Sequence, residues 1–375
     1  MADQLKTLAG YGQSIWIDYI RRNMFASGEL HRLIDFGLRG MTSNPTIFEK
    51  AVGDHDEYDD QLKSLIGTEH DPNNLFEALA IDDIQHACGE FRALYEQTDG
   101  NDGFVSLEVS PMLAHDTQGT IDAAARLWKA VDRPNVMIKI PGTPEGLPAI
   151  RATIAAGINV NVTLIFSLDH YAAAALAYIE GIEDRIARGA PVDRIASVNS
   201  VFVSRIDTAV DKLLEAKIAK GEKLDGLLGK AALANVKLQY QKYLEIFEGP
   251  RFAKAKAAGA KPQRPLWAST SVKNPRYPDL MYVEQAVAKN TVNTVPPATL
   301  DALLDHGKVR PDTILEGLDA AKADLASLAA AGISLADVTS QLQTEAVKLF
   351  ADSYNALLEA IKGKQKALET VTTGA

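Results

Sequence analysis

Eight short runs rich in apolar and β-branched residues recur along this chain of 375 residues, and longer stretches with helical spacing separate most of them. The runs are 14–18 (SIWID), 39–43 (RGMTS), 104–109 (FVSLEV), 135–140 (NVMIKI), 157–164 (GINVNVTL), 195–203 (IASVNSVFV), 265–271 (PLWASTS) and 290–295 (NTVNTV). Such alternation predicts βα units, in which each helix carries the chain back so that successive strands pair in parallel. The helical spacing falls on 75–97, 119–131, 145–156, 168–188 and 277–288. Eight parallel strands are the number that a closed (β/α)8 (TIM) barrel needs. An open doubly wound sheet is the alternative, but no glycine-rich dinucleotide turn follows the first run.

The expected architecture is therefore α/β, a single barrel domain over 1–375 with additional helices: an insertion at about 205–262 and C-terminal helices at about 311–367. Residues 49–74 also exceed a minimal barrel, and AKAKAAGAKPQR (253–264) is the most linker-like piece. The helical additions either cover the barrel or form a homodimer surface. No repeat of 20–50 residues suggests a solenoid.

A formal charge of −10 and a pI near 5.3 argue against nucleic acid as a partner, because binding that backbone requires clustered cations. An anionic small substrate would need a local positive site working against the overall field. The one cysteine, Cys88, falls in an amphipathic helical stretch, reads as core, and leaves no disulfide or Cys-based metal site within one chain. The first twenty residues lack the pattern of a signal peptide, with Asp3, Lys6 and Asp18 among them, and no apolar stretch approaches a membrane span. A cytoplasmic protein that contacts no membrane is expected.

Strands of a parallel barrel are covered on both faces, so a polar side chain within one needs a partner or a purpose. Lys139 is the sharpest case, lying between Ile138 and Ile140 just before Pro141 and Gly142. At an ordinary lysine pKa of ~10.4 the neutral amine is scarce at pH 7, and desolvation or a nearby cation is what makes such a lysine nucleophilic. Alone, Lys139 reads equally well as a structural lysine that balances a carboxylate or reaches out from a strand end. In INVNVTL, strand period places Asn159, Asn161 and Thr163 on one face, which is either solvated or turned into a barrel interior.

Asp18 and Glu108 end two other runs, as acid/base candidates or as helix caps and structural partners. Asn44, before Pro45 in GMTSNPTIF, is a natural helix N-cap whose amide could also reach substrate hydroxyls. Arg205 in VFVSRID and Ser271 with Lys273 in STSVKNP are the basic fragments from which a phosphate grip could be built.

Taken together these residues resemble the transaldolase family. The resemblance runs through GQSIWIDYIRR, GMTSNPTIFEKA, SLEVSP, MIKIPGTPEGL, INVNVTLIFS and ASTSVKNP in the family's order, and it covers most of the chain. It is greatest for the longer bacterial members, a type that also occurs fused to a glucose-6-phosphate isomerase, for which 375 residues leave no room.

The resemblance implies a class I aldolase-like barrel in the non-oxidative pentose phosphate pathway, acting on sugar phosphates without cofactor or metal. It would transfer a dihydroxyacetone unit from sedoheptulose 7-phosphate to glyceraldehyde 3-phosphate, giving erythrose 4-phosphate and fructose 6-phosphate. Lys139 matches the family's Schiff-base lysine, and Asp18 the acceptor of the C4 hydroxyl proton. Glu108 and Thr163 match the pair that positions a water, and Asn44 and Asn161 match residues that hold substrate hydroxyls or the dihydroxyacetone-lysine intermediate. Ser200, Arg205, Ser271 and Lys273 match the phosphate side. Many family members carry arginine at the place of Lys273 and an aromatic residue at that of Val272, so the planar bidentate fork is lacking here. Rival readings are a fructose-6-phosphate aldolase, whose members are generally much shorter, and a barrel that only binds an anion.

Overall fold

The computed structural model describes residues 4–373; Asp3, counted above at the start of the chain, lies outside them. Eight strands, β1 (Gln13–Asp18), β2 (Gly40–Thr42), β3 (Phe104–Glu108), β4 (Val136–Pro141), β5 (Val160–Ile165), β6 (Ser197–Phe202), β7 (Arg264–Ala268) and β8 (Thr291–Val295), form a closed parallel barrel. Each pairs with the next, and β8 returns to β1. The (β/α)8 expectation is met, with every strand inside or overlapping its expected run.

Several boundaries differ for identifiable reasons. β7 stops at Ala268 because Ser269 turns into the left-handed region at φ +54°. β5 begins only at Val160, after Gly157 at φ +92°. Asn159 serves the barrel floor: its amide donates to the carbonyls of Pro134 and Val136 and accepts from the Ala196 N–H. The alternation read in 157–164 holds through Thr163 and then breaks. Leu164 sits at φ +62°, and the register with β6 shifts between Val162 and Ile165.

Expected helices at 119–131, 145–156 and 168–188 appear as Thr117–Val131, Gly146–Ala155 and Leu168–Ala187. The stretch 75–97 is two helices meeting at Phe91, and Cys88 is buried on the first. Residues 253–264 are half helix rather than linker: Pro250–Ala257 starts on a proline and is followed by Gly259 at φ +91°. The helix expected at 277–288 shrinks to Met281–Glu284. Downstream, the Ala286 carbonyl is taken by the side chains of Gln13 and Trp267, not by a helical N–H.

Inward-facing residues alternate along each strand. Ser14, Trp16 and Asp18 share the interior face of β1, as Met137 and Lys139 share that of β4. Gly40 of β2 lies opposite Trp16, and a Cβ there would come within 2.5 Å of the indole. Gly40→Ala should therefore cost about 1–3 kcal/mol through overpacking, read as a lower urea midpoint at unchanged slope. An unshifted midpoint would show that the ring moves aside freely.

A 39-residue helix, Leu335–Thr373, crosses the C-terminal mouth of the barrel. Its Gln343 amide donates to the carbonyls of Gly142 and Leu164, just beyond β4 and at the irregular end of β5. Ser353 accepts from Thr46 after β2, and Lys364 donates to the His55 carbonyl at 2.8 Å. Among the described residues no single helix is long and apolar enough to cross a membrane.

Candidate active site

A cavity of about 510 Å³ opens at the C-terminal ends of the strands, where barrels of this kind carry their chemistry. Asp18, Thr42, Asn44, Lys139, Ser200, Arg205, Ser271 and Lys273 line it, with Phe350 and Ser353 of the long helix. A second cavity, about 300 Å³, lies at the opposite end. There Asp102 bridges Arg39 at 2.7 Å and Arg264 at 3.0 Å, and Arg264 also donates to Ser14 and to the Thr291 carbonyl. Those bonds tie the floor of the barrel.

At the mouth, Lys139 is 5 % exposed, and its Nζ lies 3.1 Å from Glu108 Oε2 and 3.1 Å from the Ser43 carbonyl oxygen to which it donates. The strand register dictates this grouping, since Glu108 pairs with Lys139 and Lys139 with Asn161 on successive strands. The Phe350 ring centroid is 5.9 Å from Nζ, so the long helix caps the amine with an aromatic face.

Burial pushes the Glu108 carboxyl above the ordinary range, against the pull of Lys139, and Asp18 adds to the rise. Asp18 is raised by burial as well, while Lys139 and a hydrogen bond from Thr42 oppose the shift. The Thr42 hydroxyl donates to Asp18 at 2.7 Å and lies 2.8 Å from the Thr294 hydroxyl. Two carboxyls with raised values thus share the field of one amine, an arrangement suited to proton transfer.

Glu108, Asn161 and Thr163 are not part of the cavity lining; they form the layer around Lys139. Asn161 is fully buried, donating to Ser106 at 2.9 Å and accepting from Ser200 at 2.6 Å. Ser200 is the member of that chain facing the cavity. Thr163 is fully buried too, and its hydroxyl has no hydrogen-bond partner among the described residues. Asn44 caps the helix Pro45–Gly53 as its position before proline predicts, accepting from the Ile47 N–H at 3.0 Å. The cap occupies its carbonyl oxygen and leaves its amide N–H donors to the cavity.

Arg205 and Lys273 lie on the same wall. Arg205 occupies the first turn of the helix Ser204–Ile218 and is lowered by burial, with Glu345 opposing. Lys273 is lowered by partial desolvation and by the charge of Arg205, and its Nζ donates to Ser271 Oγ at 2.6 Å. Two cations that repel one another beside a serine hydroxyl form a site that an anion would relieve.

All ten residues singled out in the sequence therefore gather at one end of the barrel, nine of them on the cavity wall or touching a wall residue directly. The chain matches the model of the transaldolase/fructose-6-phosphate aldolase family over residues 15–361. It belongs to that family. A transaldolase of Parafrankia sp. is 48% identical over 96% of this chain and 98% of its own length. One of Thiobacillus denitrificans is 48% identical over 95% and 99%, and one of Trichodesmium erythraeum 44% identical over 99% and 100%.

Sequence reasoning missed Thr42, Thr294, Ser106, Phe350 and Ser353. Strand parity with Asp18 and Glu108 could have found the first three, since register partners across parallel strands share a face. For Phe350 and Ser353 no local signal exists.

Proposed function

We propose that this family member is a transaldolase that moves a dihydroxyacetone unit from sedoheptulose 7-phosphate to glyceraldehyde 3-phosphate, in the non-oxidative pentose phosphate pathway of the cytoplasm, with the whole chain acting as one barrel domain. The observation that carries the reading is the buried Lys139 amine, 3.1 Å from Glu108, in a cavity whose wall bears Arg205 and Lys273.

Glu108 takes one proton from the Lys139 ammonium beside it, the neutral amine attacks the donor ketone with transfer of a second nitrogen proton to the ketone oxygen, and the carbinolamine loses water to give an iminium. Glu108 supplies the proton for that departing water, and Thr163, with its unused hydroxyl, helps orient it. Asp18 takes the proton of the C4 hydroxyl. The C3–C4 bond then breaks, its electrons moving into the iminium to form an enamine, and erythrose 4-phosphate departs. The enamine attacks the aldehyde of glyceraldehyde 3-phosphate while Asp18 returns its proton to the new hydroxyl. Hydrolysis of the iminium releases fructose 6-phosphate and restores the amine.

In this scheme Asn44 holds substrate hydroxyls directly. Asn161 acts beside Lys139 and through Ser200. Arg205, Lys273, Ser271 and Ser200 hold the phosphate, which lets donor and acceptor use one anion grip in turn.

Incubation with fructose 6-phosphate and borohydride, followed by peptide mass spectrometry, should place a reduced three-carbon or six-carbon adduct on Lys139. A protein that binds the sugar phosphate but yields no adduct, or yields one on another lysine, would exclude the mechanism. Product analysis with and without an aldose phosphate acceptor separates transfer from release of free dihydroxyacetone.

A further inference from the structure

The two cations of the anion wall stand on different elements. Arg205 is on the helix Ser204–Ile218 that follows β6, whereas Lys273 is on the segment that joins β7 to β8. That segment has only the four-residue helix Met281–Glu284 to stiffen it. Like charges on two such supports push them apart unless something ties the supports together.

The tie is visible one turn behind Arg205. Asp207 and Asp211 are 2 % and 7 % exposed, and each divides its oxygens in the same way. Asp207 accepts from the Tyr282 hydroxyl at 2.7 Å and from the Ala232 N–H at 2.8 Å. Asp211 accepts from the Tyr277 hydroxyl at 2.6 Å and from the Gly229 N–H at 2.9 Å. Both tyrosines belong to the β7–β8 segment, and both N–H groups lie at or just before the next helix, Ala231–Phe247. A cleft of about 200 Å³ is lined by Asp207, Asp211, Tyr277 and Tyr282 together with Lys273.

Hydroxyl-to-carboxylate bonds of this length are charge-assisted and directional, so two of them, five residues apart on one segment, fix its orientation as well as its distance. Nearer the barrel the same two elements meet through the Ser204 N–H, which donates to the Ser269 carbonyl at 3.0 Å, and through the two serine hydroxyls at 3.0 Å. We infer that the pairs Asp207–Tyr282 and Asp211–Tyr277 are positioning residues that hold the Lys273 segment where Lys273 and Arg205 grip one phosphate monoester together. The inference rests on the phosphate role proposed above for those two cations.

The test uses Tyr277→Phe and Tyr282→Phe in the full chain. With saturating sedoheptulose 7-phosphate as donor, KM for glyceraldehyde 3-phosphate should rise about 3- to 10-fold, the loss of one strong hydrogen bond. Meanwhile kcat and the KM for unphosphorylated glyceraldehyde stay as in the wild type. Affinity for inorganic phosphate, measured by calorimetry without turnover, should fall by a similar factor. Equal losses for both acceptors, unchanged KM and phosphate affinity, or a wild-type chain that does not bind inorganic phosphate would each overturn the inference. Tyr277 is partly exposed, so its variant carries the test if the Tyr282 variant does not fold. A wild type that binds phosphate yet turns over no sugar phosphate would defeat the transaldolase reading, and the calorimetry alone would then judge the clamp.

Discussion

Lys139→Met is expected to lower turnover of fructose 6-phosphate with erythrose 4-phosphate by roughly 10⁴-fold or more, since it removes the amine that forms the iminium receiving the electrons of the breaking bond. Borohydride trapping should vanish with it. A variant that retains activity within roughly a hundredfold of wild type would remove the lysine from covalent catalysis.

The same variant carries a stability signature. Asp18 and Glu108 are raised by burial, and the positive charge of Lys139 opposes both shifts, so its removal drives both carboxyls higher. A carboxyl raised in the folded state contributes stability below its unfolded value and loses that contribution as pH climbs through its folded value. The ordinary values are 3.8 and 4.5, so the loss begins in that range and continues upward. Relative to wild type, Lys139→Met should thus lose stability as pH rises above the ordinary carboxyl range. Parallel stability curves for the two proteins would mean that the charge is not felt at either carboxyl.

Asp18→Asn should separate the two halves of the reaction. The variant keeps the hydrogen-bonded shape beside Thr42 but cannot take up the C4 hydroxyl proton, so carbon–carbon cleavage should slow by about 10²–10⁴-fold. Lys139 and Glu108 are untouched, and the borohydride adduct with fructose 6-phosphate should still form, now as an intact six-carbon sugar. Wild-type turnover, or loss of adduct together with turnover, would take Asp18 out of the cleavage step.

How far these residues could be read in advance depended on the range of the interactions that place them. Strand runs announced the barrel because β-branched residues and period-two alternation are local. So was the Asn44 cap, fixed by the proline that follows it. Lys139, Glu108 and Asn161 could be suspected one by one as polar residues in apolar strands, but their grouping depends on register, which links residues more than twenty positions apart. Ser269 and Leu164 take up left-handed backbone without being glycine, so the ends of β7 and β5 had no composition signal. The helix expected at 277–288 failed for the reverse reason: its local spacing was helical, while tertiary partners claimed Tyr277, Tyr282 and the Ala286 carbonyl.

The long helix over the mouth also bears on the order in which the molecule can be made. Gln343 lies 201 residues beyond Gly142 and 179 beyond Leu164, the carbonyls to which it donates. During synthesis all eight strands leave the ribosome before it does, so the barrel can close while Lys139 still lacks Phe350 above it. Competence for chemistry is then a late event in the life of the nascent chain, reached when the helix docks and not when the barrel closes.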